Sequence, residues 1–594
     1  MNTLQGIWES IQGFFNEISD GISAVSEMEN SGGLLYTAAA RWIFIILALF
    51  ILVKSIASLL LSRNPSEVWA YFNVDGIISH PVTHWENVIG RSKSCDIVIN
   101  DDGVSRNHGT LIRDADGNWL YSDLGSSNGT QINGEQIRRR KSVTIKPGDE
   151  ISIGSSVCTI FPVSLEEKRN NTQIRKKETI LLSPWTSLIA ITIFQLMTAG
   201  QLKIALGEKY TSGITVGLIG LCIAMWVYVF AMRSLKRKGF EMETIAFFLS
   251  TLSLAVTAST YPESVMKQFI AALLGICVFV AMCTILRNIQ TAKKLRIYMY
   301  AGAAFLLAIN LIFGITKFGA ANWIMIGGIS FQPSEIVKLA FIWVGAASLD
   351  ELFEKKNSLI FMIFAGFCFC CLALMGDFGT AIIFFVTFLV ISFLRTGDFT
   401  KLIVIVGVAF VGGLLVLKFK SYVADRFAAW GHVWEFAETT GYQQTRTMSA
   451  AASGGLVGVG AGEGWLKGIP AASTDLVFGF LTEEWGLIIA LMAVISIITL
   501  SLFAIKSIWA GRSTFYTIGA CSAMSMFLFQ TILNVFGSVD LFPLTGVTFP
   551  FVSNGGTSMI SSWGMLAFLK AADTRQNASI AVSLKDRTKG GVRE

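Results

Sequence analysis

Apolar residues fall along this chain in blocks rather than in alternation. Thirteen runs approach or exceed the length of a membrane span: 36–61, 180–202, 213–232, 242–259, 268–286, 297–315, 335–350, 358–375, 378–394, 402–417, 487–505, 514–537 and 556–571. A hydrocarbon core about 30 Å thick asks for about 20 residues of helix. The first run is interrupted only by Arg41, Lys54 and small hydroxyl residues, and two long basic side chains can snorkel toward opposite interfaces. One segment breaks the pattern: residues 62–165 hold charges, turns and short alternating runs at 87–89, 96–99, 110–112, 119–121 and 150–153. Short strands separated by Asp-Gly, Asn-Gly and Pro-Gly turns predict an all-β sandwich. A second polar interruption, 418–486, contains Trp430, Trp434, Trp465 and many glycines. Long connections inside compact proteins are functional or disordered, and the aromatics here predict a segment folded over the outer membrane face.

Composition removes the soluble alternatives. Of 594 residues, 53% are apolar and 15% charged, too few charges to cover a soluble protein of this size, so most of the chain faces lipid. Disorder, coiled coil and a secreted disulfide scaffold are excluded together. The net charge of +6 asks for no nucleic-acid partner. The nine cysteines lie in apolar runs or in the polar segment without metal-ligand spacing, so neither disulfides nor zinc is expected. The N-terminus lacks a basic n-region and a small-residue cleavage site, so the first run reads as an anchor.

Lys and Arg set the orientation. The first 33 residues carry five acids and no Lys or Arg, and are placed outside. The short connections that then fall inside (233–241, 287–296, 351–357, 395–401 and 506–512) hold 14 Lys/Arg, against 4 in the short outer ones (203–212, 260–267, 316–334, 376–377 and 538–555). The expected fold is therefore a polytopic α-helical membrane protein of about thirteen transmembrane helices with an inserted cytoplasmic all-β sandwich. Its parts are an extracytoplasmic segment 1–35, an anchor 36–61, the cytoplasmic domain 62–165, a basic linker 166–179, added membrane helices 180–240, a core 241–572 with the outer segment 418–486, and a cytoplasmic tail 573–594.

Within the polar domain stand Ile89-Gly90-Arg91, Ser105-Arg106-Asn107-His108, Asp123-Leu124-Gly125-Ser126-Ser127-Asn128-Gly129-Thr130, Asn133-Gly134 and Pro147-Gly148-Asp149-Glu150. In order and spacing these motifs resemble a forkhead-associated (FHA) domain, which binds phosphothreonine peptides through loops at one end of the sandwich. A phosphate of about −2 charge suits a cationic fork with short hydroxyl and amide donors. The resemblance implies that Arg91, Ser105 and Arg106 hold the phosphate and that Ser127 and Asn128 hold the peptide backbone. Asn133 is a weaker candidate, and Gly90, His108 and Gly129 shape the loops. Taken singly, Arg91 could be a surface ion pair and the Ser and Asn residues turn formers. Threonine kinases use ATP, which agrees with the cytoplasmic side given by the charges.

Charges at helix centres cost about 2.5–3.5 kcal/mol, so each needs a partner or a task. In Phe331-Gln332-Pro333-Ser334-Glu335-Ile336-Val337-Lys338, Pro333 suits the first turn of a helix and Ser334 its cap. Glu335 and Lys338 share a helix face, either as a structural ion pair or as catalytic groups. Gly376-Asp377-Phe378-Gly379-Thr380 is a tight turn in which Asp377 can cap the next helix. The outer segment ends in Ile469-Pro470-Ala471-Ala472-Ser473-Thr474-Asp475, where Asp475 can cap a helix or take a proton. Before the last run comes Pro550-Phe551-Val552-Ser553-Asn554-Gly555-Gly556-Thr557-Ser558, whose small residues suit an anion seat at a helix N-terminus.

With Arg426, Trp434, Tyr442-Gln443-Gln444, Ser453-Gly454-Gly455 and Gln530 with Asn534, these motifs resemble the SEDS family (shape, elongation, division and sporulation) of RodA/FtsW-type peptidoglycan glycosyltransferases, over roughly 240–572. The resemblance implies a multi-pass protein of a bacterial plasma membrane. It implies polymerisation of lipid II into β-1,4 glycan on the outer face, for elongation or division, under phosphothreonine control by the FHA domain. Asp475 would be the catalytic base; Glu335, Lys338 and Asp377 complete the catalytic set; Arg426, Gln443, Ser553, Gly555, Gly556 and Thr557 bind substrate. A divalent cation, magnesium or manganese, is an optional helper for the leaving diphosphate. A class B penicillin-binding protein and a phosphothreonine protein are the implied partners. A lipid II transporter and a non-catalytic phospho-dependent division scaffold remain the alternatives.

Overall fold

The computed structural model describes residues 31–579 apart from 62–65, 94, 114–116, 140, 179–181, 318–319, 328, 350–354, 397–398, 510–512 and 576–577. Most of the expected segment 1–35 and of the tail 573–594 lies outside the described residues.

The first helix, α1 (Ser31–Ile56), leads into the sandwich: β1 (Ala70–Val74), β2 (Ile78–Val82), β3 (Glu86–Gly90), β4 (Ile97–Val98), β5 (Gly109–Arg113), β6 (Trp119–Asp123), β7 (Thr130–Ile132), β8 (Glu135–Gln136), β9 (Ser142–Ile145), β10 (Glu150–Ile153) and β11 (Ser156–Pro162). One sheet has the order β2-β1-β11-β10-β7-β8 and the other β4-β3-β5-β6-β9. Alternation decides which face is covered. Every second residue of β1 is buried, and Phe72, Ile89, Leu111, Tyr121, Ile151, Ile153 and Ile160 form the core between the sheets. The expected basic linker is itself helical, α2 (Leu165–Glu178).

Membrane helices follow: α3 (Trp185–Leu206), α4 (Ser212–Ser234), α5 (Glu241–Thr260), α6 (Val265–Ile285) and α7 (Ile289–Phe313). A small sheet, β12 (Ile315–Lys317), β13 (Ala320–Ile326) and β14 (Ile329–Phe331), occupies the next connection. Then come α8 (Pro333–Leu349), α9 (Lys355–Met375), α10 (Phe378–Thr396), α11 (Phe399–Phe419), the short α12 (Ser421–Ala429) and α13 (Tyr442–Gly454), and finally α14 (Val477–Trp509), α15 (Thr514–Ser538) and α16 (Gly556–Ala572). Eleven helices among the described residues are long and apolar enough to cross a membrane. Adding α8 and α16, each 17 residues and at the short end of the spanning range, gives thirteen. Helix α5 is wholly buried at the centre, whereas no residue of α11 is buried, which leaves its apolar surface to lipid.

Two details sharpen the sequence reading. The two basic residues of α1 have definite partners: Arg41 donates Nη1 to Gly458 O at 2.8 Å, and Lys54 donates to Ser183 O and Thr186 Oγ1 at 2.5 Å. Also, residues 477–485, expected as part of the connection, are helical as far as a break at Gly486, whose φ is +86°, and the span expected at 487–505 begins directly after that break. The break exposes backbone groups that an unbroken helix would pair, and lipid offers them no partner. The segment 418–486 supplies partners instead. Leu487 N donates to Gly455 O at 3.0 Å and Ile488 N to Leu456 O at 3.2 Å, while Val459 N and Gly460 N reach Glu483 O and Glu484 O at 2.9 and 3.0 Å. A Cβ on Gly486 would lie 2.3 Å from Leu456 O, so only glycine fits this junction.

The sandwich sits at one end of α15, where Thr514 Oγ1 donates to Glu86 Oε2 at 2.8 Å and the rings of Trp85 and Tyr516 lie 6.5 Å apart. Near the other end of α15, Asn534 donates to Asp475 O at 2.9 Å. Twenty residues of helix separate these two contacts, about 30 Å at 1.5 Å per residue.

Candidate functional site

Four residues, Leu544-Thr545-Gly546-Val547, connect Arg426 with two of the four expected catalytic residues, Asp475 and Asp377. Arg426, on α12, donates Nη1 to Leu544 O at 2.8 Å. Thr545 abuts Gly379, where an added Cβ would lie 2.7 Å from Thr545 O. A Cβ on Gly546, which has φ +70°, would meet Asp475 Oδ2 at 3.4 Å. Val547 O accepts from Asn534 Nδ2 at 2.8 Å. One extended segment thus brings Arg426, the Asp377 turn and Asp475 together from three distant parts of the chain.

Asp475 is half-buried just before α14. Its carboxyl is pushed up to about 6 by burial; Thr474 and the charge of Arg426 oppose the rise and Asp377 adds to it. Its backbone is clamped: Asp475 N donates to Ala471 O at 3.0 Å, and Ser553 Oγ donates to the neighbouring Thr474 O at 2.6 Å. Gln443 donates Nε2 to Pro470 O at 2.9 Å, at the foot of the same stretch. Asp377 caps α10 by accepting from Thr380 N at 3.1 Å, and its second oxygen accepts from Asn322 Nδ2 of β13 at 3.3 Å.

The Glu335–Lys338 pair lies deeper, with both side chains buried. Lys338 Nζ is 2.7 Å from Glu335 Oε1, and Ser561 of α16 donates to Glu335 Oε2 at 2.8 Å. Ser334 does not act as the expected cap: its buried hydroxyl has no hydrogen-bond partner among the described residues. Part of the expected anion seat is also spent internally. Asn554 N donates to Ser473 O at 2.8 Å and Gly555 N to Gln268 Oε1 at 3.2 Å, which leaves Gly556 and Thr557 to open α16. Among the described residues no three His, Cys, Asp or Glu side chains gather as a metal site, and no step below is routed through the optional divalent cation.

At the sandwich, the resembled loops meet around Ser105. Arg91 N donates to Ser105 O at 3.0 Å, Ser127 N donates to Ser105 Oγ at 3.0 Å, and Asn128 Nδ2 donates to Gly103 O at 2.8 Å. The loops touch so closely that a Cβ on Gly90 would lie 2.3 Å from Arg106 O. Arg91 pairs with Asp102 at 2.5 Å on the exposed side, and Arg106 is exposed beside it. His108 is fully buried; it accepts from Ser105 N at 3.1 Å and lies 3.2 Å from Gly129 O. Burial holds its imidazole below the usual range, against the pull of Asp123. Asn133 is occupied elsewhere, bonding Asp149 Oδ1 at 3.1 Å and accepting from Glu150 N at 3.0 Å.

Sequence reasoning named Asn322 and Asn534 only as parts of motifs, and assigned no role to Gln268, Ser561 or Arg139, the last of which donates to Ser127 O at 3.1 Å. The available signal was a polar side chain inside an apolar run, as with Gln268 and Ser561. Arg139 gave none.

The family described as cell cycle protein, FtsW/RodA/SpoVE, matches residues 240–578, more than half of the chain. The chain belongs to the FtsW/RodA/SpoVE family. The FHA family matches residues 87–154, so this member also carries an FHA domain. A probable peptidoglycan glycosyltransferase FtsW of Wigglesworthia glossinidia brevipalpis is 32% identical over 283 residues, covering 45% of this chain and 73% of that protein. The peptidoglycan glycosyltransferase RodA of Mycobacterium tuberculosis is 29% identical over 325 residues, covering 51% of this chain and 69% of its own. The solved RodA of Thermus thermophilus is similar at 21% identity over 57% of this chain and 97% of that one, with a TM-score of 0.41. The family core spans α5 to α16, so α1, the sandwich, α3 and α4 precede it.

Proposed function

We propose that this multi-pass glycosyltransferase polymerises lipid II on the outer membrane face with inversion at the anomeric carbon, under control of a phosphothreonine-reading domain on the cytoplasmic side. The observation that carries the proposal is Asp475, clamped through its backbone and held with a carboxyl near 6. Such a group is mostly ionised at pH 7 yet basic enough to accept a proton. As the C4 hydroxyl of the acceptor sugar attacks C1 of the donor, Asp475 takes the hydroxyl proton and undecaprenyl diphosphate leaves. Arg426, beside Asp475, supplies positive charge toward the diphosphate. Asp377 orients the turn that faces Asp475, and Glu335, with Lys338, fixes α16 through Ser561. Gln443 and Ser553 hold the stretch that presents Asp475, and the first turn of α16 with Gly556 and Thr557 lies beside it.

The sidedness rests on the Lys/Arg count and is supported by the contacts of the sandwich and of Asp475 with opposite ends of α15. In the sandwich, Arg91, Ser105, Arg106, Ser127 and Asn128 are the proposed phosphopeptide ring, with Asn133 outside it. A class B penicillin-binding protein, a transpeptidase with one membrane helix, is the proposed partner.

Purified protein given labelled lipid II should yield polymer, and Asp475→Ala should abolish it in folded protein. Translocation without polymer would instead make the chain a transporter. Phosphopeptide binding with neither activity would make it a scaffold.

A further inference from the structure

Two membrane helices that precede the family core, α1 and α3, grip the outer segment at its glycine-rich stretch 458–462. An arginine within an apolar span needs a task, and Arg41 spends its guanidinium on Gly458 O at 2.8 Å. From α3, Gln201 Nε2 reaches Ala461 O at 3.5 Å. The fit leaves no room for side chains: a Cβ on Gly460 would lie 2.9 Å from Thr37 Cγ2, and one on Gly462 2.7 Å from Ala205 Cβ. Arg41, Gln201, Glu484 and Trp485 line this seam together. There Gln201 Oε1 and Trp485 Nε1 have no hydrogen-bond partner among the described residues.

The gripped stretch runs on to Asp475 through continuous hydrogen bonds. Gly462 N donates to Glu484 Oε2 at 3.0 Å, Trp465 N to Glu483 Oε1 at 2.8 Å, and Lys467 Nζ to Gly462 O at 2.7 Å. Ile469 N then donates to Leu466 O at 2.8 Å, Ala472 N to Ile469 O at 3.2 Å, and Asp475 N to Ala471 O at 3.0 Å. Both carboxylates that hold the stretch from below, Glu483 and Glu484, lie just before the break at Gly486.

We infer that Arg41 is a positioning residue for the glycosyl transfer: by holding the Gly458 carbonyl it fixes the stretch 458–475 and, through it, the Asp475 carboxylate. The helix that leads into the sandwich is then part of the catalytic unit. This rests on the proposed role of Asp475 as base.

The test uses the full chain reconstituted in vesicles, with Arg41→Met, which keeps the packing volume, and Arg41→Lys, which keeps the charge. With labelled lipid II, R41M should lower kcat about 10-fold or more while KM stays within about two-fold, because a misplaced base loses rate rather than binding. The acidic limb of its pH–rate profile should move to lower pH, since a loosened carboxyl regains water. R41K should recover part of kcat. Trypsin should cut after Lys467 faster in R41M than in the unsubstituted protein. That cleavage needs no polymerisation, so it tests the grip on the stretch 458–475 separately from the proposed activity, and unchanged cleavage overturns the inference even if the unsubstituted protein makes no polymer. Unchanged kcat, pH profile and Lys467 protection in R41M would overturn it. So would a loss of activity that merely follows the loss of folded protein and is not restored in R41K.

Discussion

Replacing Asp475 with asparagine should make the protein more stable and inactive at once, with a pH signature that identifies the cause. In an unfolded chain the aspartate titrates near 3.8, and here burial pushes it up to about 6. The folded state therefore holds the proton more readily, so the ionised carboxylate destabilises the fold above pH 6, and that penalty fades as the pH falls toward 4. At about 1.4 kcal/mol per pH unit the penalty is roughly 3 kcal/mol at neutral pH. Because the side chain keeps partial access to solvent, screening reduces the recoverable part to about 1–2 kcal/mol. The substituted amide keeps the size of the native side chain without its charge. Thermal unfolding followed by tryptophan fluorescence should show a higher midpoint for Asp475→Asn at pH 7.5. The gain should shrink to about a third by pH 4.5, and no polymer should form at either pH. A variant no more stable at pH 7.5, or one whose gain does not change with pH, would refute the placing of a strained, ionised base at this position.

Breaking the Glu335–Lys338 pair at one end, by Glu335→Gln or Lys338→Met, should cost about 3–5 kcal/mol by stranding a buried charge. The double variant should unfold at a higher temperature than either single one. Gly546→Ala should lose at least about 1 kcal/mol, because φ there is +70° and a side chain is strained in that region. The new methyl also presses on Asp475 Oδ2, so steady-state assays should find kcat falling more than KM. Arg91→Ala should weaken binding of a phosphothreonine peptide about 10- to 100-fold, the worth of about 1.5–3 kcal/mol for a charge-assisted bond. Calorimetry on the full chain checks this, and an affinity that does not change removes Arg91 from the ring.

Much of the architecture was legible because the signals are long. Thirteen apolar runs became thirteen helices, and strands such as 150–153 emerged where alternation put Ile151 and Ile153 on one face. The span was expected to start at 487, directly after the break at Gly486, but the helix before the break and the pairing across it were not legible: a glycine beside an apolar stretch looks the same whether or not a distant loop pairs across it. The partners of Arg41 and Lys54 were not legible for a similar reason, since the carbonyls they meet arrive from elsewhere in the chain. At the site, residue types and order pointed to Asp475, Asp377, Arg426 and the Glu335–Lys338 pair. Sequence could not show that residues 544–547 connect the first three, because backbone carbonyls carry no letter. Ser334 shows the converse: a good cap residue in the right place, left unbonded because Pro333 already starts the helix.

The pairing across Gly486 has a consequence for how the chain is made. The bonds that cover the exposed head of the lower half-helix join residues about thirty apart in sequence, 455–460 with 483–488. Residues 455–460 precede the half-helix in the chain, so the carbonyls that cover its head are already made when that head emerges, and the cover can form only if the earlier stretch stays beside it. Deletions around 455–460 should then appear first as failed biogenesis and early degradation.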